Sequence, residues 1–261
     1  MLKSFIQRLF EATGYSLIRA SRLLVRNPED PVHVFESMCT HLIATKQPVY
    51  FVQIGAYDGK TDDVLNKYIR RFDLRGVMVE PQPEPFRDLQ AEYKDQPHIS
   101  LREVAIAKER GSRTLYTIEP VPHLPEWAEQ AASLDRDTIA GHESIAPGIT
   151  DQIREIVVPC IPLSDLLDEE NMDTVDIFQI DTEGYDYEII KMINFEQYTP
   201  RIIRYEHAHL AREDQIECLL YLRKQGYRLA IEDMDTTAYR AYPGTDADYT
   251  QIARSNPYDG F

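Results

Sequence analysis

Basic residues are in short supply. The chain sets 28 lysines and arginines against 44 aspartates and glutamates, a formal net charge of −16 over 261 residues. Nucleic-acid surfaces need clustered Lys and Arg to meet phosphate, so this balance argues against a nucleic-acid partner. Cysteine is scarce as well. Cys39, Cys160 and Cys218 lie far apart and form no C-x-x-C pair, which speaks against a disulfide framework or a zinc knuckle and fits a reducing compartment. No apolar run is long enough to span a bilayer. No secretory signal is visible, because Lys3, Gln7 and Arg8 interrupt the stretch from Leu2 to Phe10. A cytoplasmic protein is expected. What remains is an ordinary soluble composition, 43% hydrophobic and 28% charged, long enough for one large domain or one domain with appendages.

The acidity is uneven. Residues 1–26 carry Lys3, Arg8, Arg19, Arg22 and Arg26 against Glu11 alone, and Leu2, Phe5, Ile6, Leu9 and Phe10 fall on one helical face. Three readings compete for this basic amphipathic helix. It packs on the catalytic domain or on a second subunit, lies at a membrane surface, or is a cleaved transit peptide. Asn27-Pro28-Glu29-Asp30-Pro31 then breaks the chain, and a short helix over about 32–44 leads onward. The expected division is an N-terminal helical extension at 1–46, a main domain at 47–242 and a tail at 243–261.

The main domain opens on Val49-Tyr50-Phe51-Val52-Gln53-Ile54, a short buried strand by its β-branched and aromatic content. Gly55 ends it and Gly59 follows. Thr61 is the expected N-cap of a helix carrying Val64, Leu65, Tyr68 and Ile69. Strand, glycine turn and helix are the opening of a doubly wound α/β sheet, in which ligands sit at the carboxyl ends of the strands. Glu80 closes the next apolar run, Gly76 to Val79, about 25 residues after the first glycine, where an acidic side chain can accept from ribose hydroxyls. The turn is not G-x-G-x-x-G. Gly59-Lys60-Thr61 invites a phosphate-loop reading, but one residue is missing between the glycines and Asp58 would repel phosphate.

Further along, Pro83 and Pro85 stand in the first turn of a second crossover helix, and Ile99 to Ala107 reads as a third strand. Ser112 to Ile118 alternates as a strand. Residues 119–151 change character: prolines at 120, 122, 125 and 147 and glycines at 141 and 148 break any long element, and Trp127, His123 and His142 fall here. A loop of this length is expected to cover the acceptor site. Strands are then expected at Ile153 to Ile161, Val175 to Ile180, Arg201 to His209, Tyr227 to Ile231 and Thr237 to Tyr242, with helices at 162–167, after Tyr185, and at 211–225. Asp181 falls at the carboxyl end of one strand, and Glu206, His207 and His209 at the end of the next.

The order of these motifs resembles the FkbM-like family of S-adenosylmethionine-dependent methyltransferases. The matching pieces are Val-Gln-Ile-Gly-Ala-Tyr-Asp-Gly (52–59), Val-Glu-Pro-Gln-Pro-Glu-Pro-Phe (79–86), Val-Ala-Ile-Ala (104–107) and Val-Pro-Cys-Ile-Pro-Leu-Ser-Asp-Leu-Leu (158–167). Asp-Ile-Phe-Gln-Ile-Asp-Thr-Glu-Gly-Tyr-Asp (176–186) and Ile-Arg-Tyr-Glu-His (203–207) complete the set, which covers about residues 48–235. The resemblance implies a Rossmann-like class I methyltransferase sheet of about seven strands. It implies S-adenosyl-L-methionine held by Gly55, Ala56, Tyr57, Asp58, Gly59, Glu80, Pro81, Ala105 and Asp181. Gly55 and Gly59 would let the backbone approach its methionine part, Glu80 would bind the ribose hydroxyls and Ala105 would border the adenine. Family members mostly methylate hydroxyl oxygens, often on sugars, so a small-molecule or glycan acceptor is expected.

Such a hydroxyl needs a base. Asp181, Glu183, Glu206, His207 and His209 are the candidates. On an extended strand end His207 and His209 point to one side and Glu206 to the other, and His207 is the favoured base because a histidine titrates near neutrality. Asp181 would hold the acceptor or orient the base. Glu183 either joins them or caps a helix start. A divalent metal on Asp181, Glu183, Glu206 and His207 is conceivable but not favoured, since spacing does not show that they converge. Two other classes stay open: a non-catalytic module that holds partners through its N-terminal helix, and a nucleotide-binding NTPase built on Gly59-Lys60-Thr61.

Overall fold

The computed structural model describes residues 34–240, so the basic segment at 1–26 and the tail from Pro243 lie outside the described residues. Helix α1 (Val34–Thr45) precedes β1 (Val49–Ile54), α2 (Asn66–Ile69), β2 (Leu74–Val79), α3 (Pro83–Tyr93) and β3 (Ile99–Arg102). An insertion follows, made of β4 (Ala105–Ile106), β5 (Gly111–Ile118), β6 (Ala132–Ser133), α4 (Arg136–Ala140) and β7 (Ile153–Ile161). The chain then continues through α5 (Leu163–Glu169), β8 (Ile177–Ile180), α6 (Asp186–Met192), β9 (Ile202–Glu206) and α7 (Arg212–Lys224) to the hairpin β10 (Arg228–Glu232) and β11 (Asp235–Tyr239).

Seven strands form the main sheet in the order β10-β11-β9-β8-β1-β2-β3. The run from β3 to β9 is parallel, and β11 enters antiparallel between β9 and β10. This is the doubly wound order of a class I methyltransferase. Chain direction across the sheet reverses between β1 and β8, where such sheets open a ligand crevice at the strands' carboxyl ends. Both faces of the parallel strands are covered, which explains their nearly continuous apolar character. Val52, Ile54, Val79, Phe178, Ile180 and Ile203 pack with Leu163 and Leu166 of α5, Ile189 and Ile190 of α6, and Leu222 of α7. Alternate residues such as Phe51 and Ile202 face the other way. There α1 packs against β9 and β11, and Arg204 stacks over Phe35 with its guanidinium 5.4 Å from the ring centre. Asp176, buried before β8, anchors the amino ends of the strands by accepting from Lys46 Nζ at 2.5 Å and Tyr50 N at 3.0 Å.

The insertion makes a second sheet in the order β4-β7-β5-β6, dominated by the antiparallel β5–β7 pair. Three differences from the sequence expectations appear. Thr61 caps no helix: α2 is a single turn from Asn66, and the Asp63 carboxylate accepts from Leu65 N at 2.8 Å. Asp58 has drawn the preceding residues into a tight turn by accepting from Lys60 N, Thr61 N and the Thr61 hydroxyl. The expected strand from Ile99 to Ala107 is two strands, because the chain leaves the main sheet after Arg102 and pairs Ala105 and Ile106 with β7. Residues 119–151 are not bare loop. Short 3-10 turns, β6 and α4 wrap a small core of Ile118, Ala128, Ala131, Ile139, Ala146 and Ile149.

Candidate active site

The carboxyl ends of β1, β2 and β8 converge on a cavity that opens to solvent. Gly55, Tyr57, Glu80, Pro81 and Gln82 form its floor; Val104, Ala105, Ile106 and Leu115 form an apolar side; Gln130, Ala132 and Leu134 come from the insertion; Asp181, Thr182, Glu183 and Tyr185 complete it. Two of its residues, Tyr57 (φ +47°) and Glu183 (φ +52°), hold left-handed backbone without being glycine. Such conformations cost energy and gather at functional sites.

Glu80 is 3% exposed. Its two oxygens accept from Tyr57 N at 2.9 Å and Gln82 N at 2.8 Å. Burial pushes the Glu80 carboxyl up to about 7, against the lowering effect of those hydrogen bonds. The Gln82 side chain hydrogen-bonds the same carboxylate.

The two glycines of the turn do different jobs. Gly55 lines the cavity, and it is glycine because β8 presses on it: a Cβ there would stand 1.7 Å from the Asp181 carbonyl oxygen. Gly59 does not line the cavity. A Cβ on it would strike Leu89 and Tyr93 of α3, so it is a packing glycine. Ala56 is buried, with its N–H on the Val79 carbonyl. Asp58 serves its own turn and borders an outer groove rather than the cavity. The N–H groups of Lys60 and Thr61 are spent on Asp58, which leaves none to cradle phosphate, so the geometry does not support the NTPase alternative.

At the far wall the ends of β8 and β9 gather acids. Asp186, fully buried at the start of α6, accepts from Glu206 N at 3.2 Å and from the Thr182 hydroxyl at 2.8 Å, and so ties the two strand ends together. Burial, then the Glu206 charge, pushes it up to about 7. Asp181 is exposed at the cavity wall, beside the carboxyl groups of Glu206, Asp186 and Glu183. Enclosure first and those charges second hold it well above the usual carboxylate range. His209 Nδ1 lies 2.8 Å from Glu183 Oε2 and 2.6 Å from Glu206 Oε2. Burial opposes its charge, but the two carboxylates prevail and push His209 up to about 10. Its Nε2 meets His142 Nε2 at 2.8 Å. His142 is 6% exposed, comes from the insertion and is kept neutral by burial and by the His209 charge. Trp127 stands edge-on to it, with ring centres 5.3 Å apart.

The strand-end expectation is corrected here. His207 and His209 do not share a side, because β9 ends at Glu206 and the chain turns. His207 Nδ1 pairs with the Thr236 hydroxyl at 3.2 Å, its N–H bonds the Met234 carbonyl, and it does not line the cavity. His209 is the histidine that meets the strand-end acids. Asp181, Glu183 and Glu206 do converge, with one oxygen of each within 4.8 Å of the others. The sequence reading missed His142 and Asp186. Asp186 had a signal in its place five residues after Asp181. His142 had none beyond being a histidine in the insertion.

The seven-strand order, with its switch-point cavity, is that of a class I methyltransferase fold. The methyltransferase FkbM domain model matches residues 53–229, and the chain belongs to that family. Among solved structures it is similar to methyltransferase FkbM from Methylobacillus flagellatus KT, at 16% identity and TM-score 0.46, over 73% of this chain and 43% of that one. This chain therefore spans less than half the length of that relative. A putative caffeoyl-CoA O-methyltransferase from Staphylococcus aureus aligns at 12% identity and TM-score 0.39, covering 92% and 99% of the two chains. Precorrin-6y C5,15-methyltransferase from Geobacter metallireducens GS-15 aligns at 11% and 0.40, covering 82% and 94%. No curated protein matches the sequence. No helix among the described residues is long and apolar enough to cross a membrane.

Proposed function

We propose that this chain transfers a methyl group from S-adenosylmethionine to a hydroxyl oxygen of a sugar, free or within a glycan. The observation that carries the cofactor is Glu80, a buried carboxylate on the cavity floor fixed by two backbone N–H groups, an acceptor for a ribose diol. Ala105 beside Val104 and Leu115 offers a small-residue, apolar slot suited to a flat ring, and Pro81 and Gly55 complete the floor. These residues fit the cofactor. When bound, S-adenosylmethionine supplies an electrophilic methyl group on a sulfonium.

The chain's own residues then have two tasks. One is alignment: cavity walls from both sheets hold the acceptor oxygen in line and keep water out, a contribution worth roughly 7–11 kcal/mol of barrier in well-positioned reactions. The other is the proton. As the acceptor oxygen gains its bond to carbon, its O–H bond breaks and the proton passes to the Asp181–Glu183 pair, the two acids on the cavity wall after β8. The raised affinity of Asp181 for a proton suits it to this task. His209 is a positioning residue that fixes Glu183 and Glu206.

Support for a sugar comes from the adjoining groove. Tyr57 and Gln130 belong to both cavity and groove, and Trp127, 37% exposed, lies there with Asp58, Asp62, Glu126 and Glu129. An exposed indole takes the apolar face of a sugar ring, and carboxylates accept from its hydroxyls. Residues 119–151 would then be the acceptor-side wall. Calorimetric titration with S-adenosylmethionine and S-adenosylhomocysteine, followed by methylation of a sugar panel, tests the proposal. Folded protein that binds neither ligand would overturn it and bring forward the non-catalytic module.

A further inference from the structure

We propose that Ser133 is a positioning residue for methyl transfer: from the insertion it holds Glu183 in the strained backbone that presents its carboxylate to the cavity. Its hydroxyl donates to the Glu183 carbonyl at 2.6 Å, across 50 positions of sequence. Ser133 is 1% exposed and does not line the cavity, whereas its neighbours Ala132 and Leu134 do. Alternation along β6 and into Leu134 turns those two inward and Ser133 toward the loop behind the wall. Ser133 therefore acts through Glu183 and not on a ligand.

The backbone it holds is strained. Glu183 has φ +52° and Gly184 has φ +96°, two left-handed residues in succession. A glutamate keeps such a backbone only where its surroundings leave it no other. The carbonyl that Ser133 grips belongs to the peptide plane between the two residues. One hydrogen bond thus restrains ψ of Glu183 and φ of Gly184 together. The Asp135 N–H donates to the Ser133 hydroxyl oxygen at 3.1 Å, which fills one lone pair and helps to aim the hydroxyl proton at Glu183. Thr138 of α4 adds a steric stop: a Cβ on Gly184 would stand 3.1 Å from the Thr138 hydroxyl oxygen and 3.0 Å from the His209 carbonyl oxygen. From the other side, the Asp186 carboxylate accepts from both the N–H and the hydroxyl of Thr182.

The insertion thereby has a second task beside walling the acceptor. Glu183 belongs to the pair that takes the proton, and a base must stay within hydrogen-bond reach of the hydroxyl it serves. Without the Ser133 bond, Glu183 is free to relax toward right-handed or extended backbone, and its side chain swings with it. This kinetic role rests on the methyl-transfer proposal; the clamp itself does not.

The test uses full-length Ser133→Ala with two readouts. Hydrogen exchange followed by mass spectrometry needs no acceptor: the segment 182–189 should exchange about threefold faster than in the parent, or more. In turnover with a sugar from the panel, kcat should fall roughly tenfold, while KM and calorimetric affinity for S-adenosylmethionine stay within about twofold. Ser133→Cys, a weak donor of similar size, should fall between parent and alanine in both readouts. Ile149→Val loosens the core of the same insertion without touching the loop. It should lower the unfolding midpoint and leave kcat and the exchange of 182–189 near the parent's. Unchanged exchange in folded Ser133→Ala overturns the clamp. Faster exchange with kcat unaltered, or an equal loss of kcat in Ile149→Val, overturns the positioning role. Faster exchange in Ser133→Ala, when the parent binds S-adenosylmethionine but methylates no sugar, leaves the clamp standing and refutes the function instead.

Discussion

Gly55 and Asp181 are in backbone contact across the switch point of the sheet: residue 55 has no room for a Cβ, which would stand 1.7 Å from the Asp181 carbonyl oxygen. The Asp181 N–H bonds the Ile54 carbonyl at 2.9 Å, so neither strand end can retreat without losing a hydrogen bond. Gly55 also has φ +81°. Gly55→Ala therefore meets strain and clash together, at a cost of about 3 kcal/mol or more. A urea-unfolding midpoint close to the parent's would show that the contact yields more easily than its geometry implies.

Gly59→Ala separates packing from binding. The added Cβ meets side-chain atoms of Leu89 at 2.4 Å and Tyr93 at 2.5 Å, with φ +68°. The variant should lose about 1–2 kcal/mol of stability and keep its affinity for S-adenosylmethionine within about twofold, because residue 59 does not line the cavity. A large affinity loss in calorimetry, with stability intact, would return Gly59 to the cofactor site.

These two glycines show how much was legible in the sequence. The run 49–59 announced strand, turn and ligand edge, and β1 and β7 have the bounds expected of them, because buried strands write themselves as apolar runs. Glu80 and Asp181 were legible as acids closing such runs. The division of labour between Gly55 and Gly59 was not, since it depends on what packs against each one. His207 misled for a similar reason. Alternation holds only while the strand lasts, and β9 ends one residue before it. His142 enters through a contact 67 positions away, which no local pattern encodes.

Glu80 gives cofactor binding a pH dependence of known sign. Its carboxyl titrates near 7 in the folded chain and near 4.5 when unperturbed. Ribose hydroxyls donate to the ionised form, so below about pH 7 binding must first release a proton. Affinity for S-adenosylmethionine should rise between pH 6 and 8, by up to about tenfold per unit on the acid side. Stability without ligand runs the other way. The native state holds this proton while the unfolded chain has lost it, so the Glu80 contribution favours the fold at low pH and declines as pH rises from about 4.5 through 7, by on the order of 3 kcal/mol in all. Glu80→Gln should flatten both profiles and weaken binding about tenfold or more. Unchanged binding in that variant would remove Glu80 from the site.

Trp127 tests the acceptor side without touching the cofactor floor. If a sugar ring rests on the exposed indole, Trp127→Ala should raise KM for the acceptor roughly three- to tenfold, the worth of about 0.5–1.5 kcal/mol of aromatic contact. S-adenosylmethionine affinity should not move. Because the ring also leans on His142, 5.3 Å between centres, Trp127→Phe is the necessary companion. It keeps an aromatic face in both contacts and should recover most of the KM. A loss confined to kcat in both variants would mean that Trp127 acts through His142 rather than on the sugar.

The two histidines of the β9 end give the clearest contrast. His207 is engaged with Thr236 and stands off the cavity, so His207→Ala should leave kcat within about twofold while losing less than about 1 kcal/mol for one neutral hydrogen bond. His209 is tied to Glu183, Glu206 and His142 at once. Its removal strands carboxylates whose charge it offsets, and His209→Ala should cost about 3 kcal/mol or more of stability by the logic of a broken buried pair. It should also lower kcat by roughly 10²-fold, at the lower end of the range for a general base, because Glu183 loses its orientation. KM for S-adenosylmethionine should change little, since Glu80 and the floor are untouched. If instead His207→Ala abolishes turnover in a folded protein, the proton leaves by a route on the β11 side, and the assignment to Asp181 and Glu183 fails.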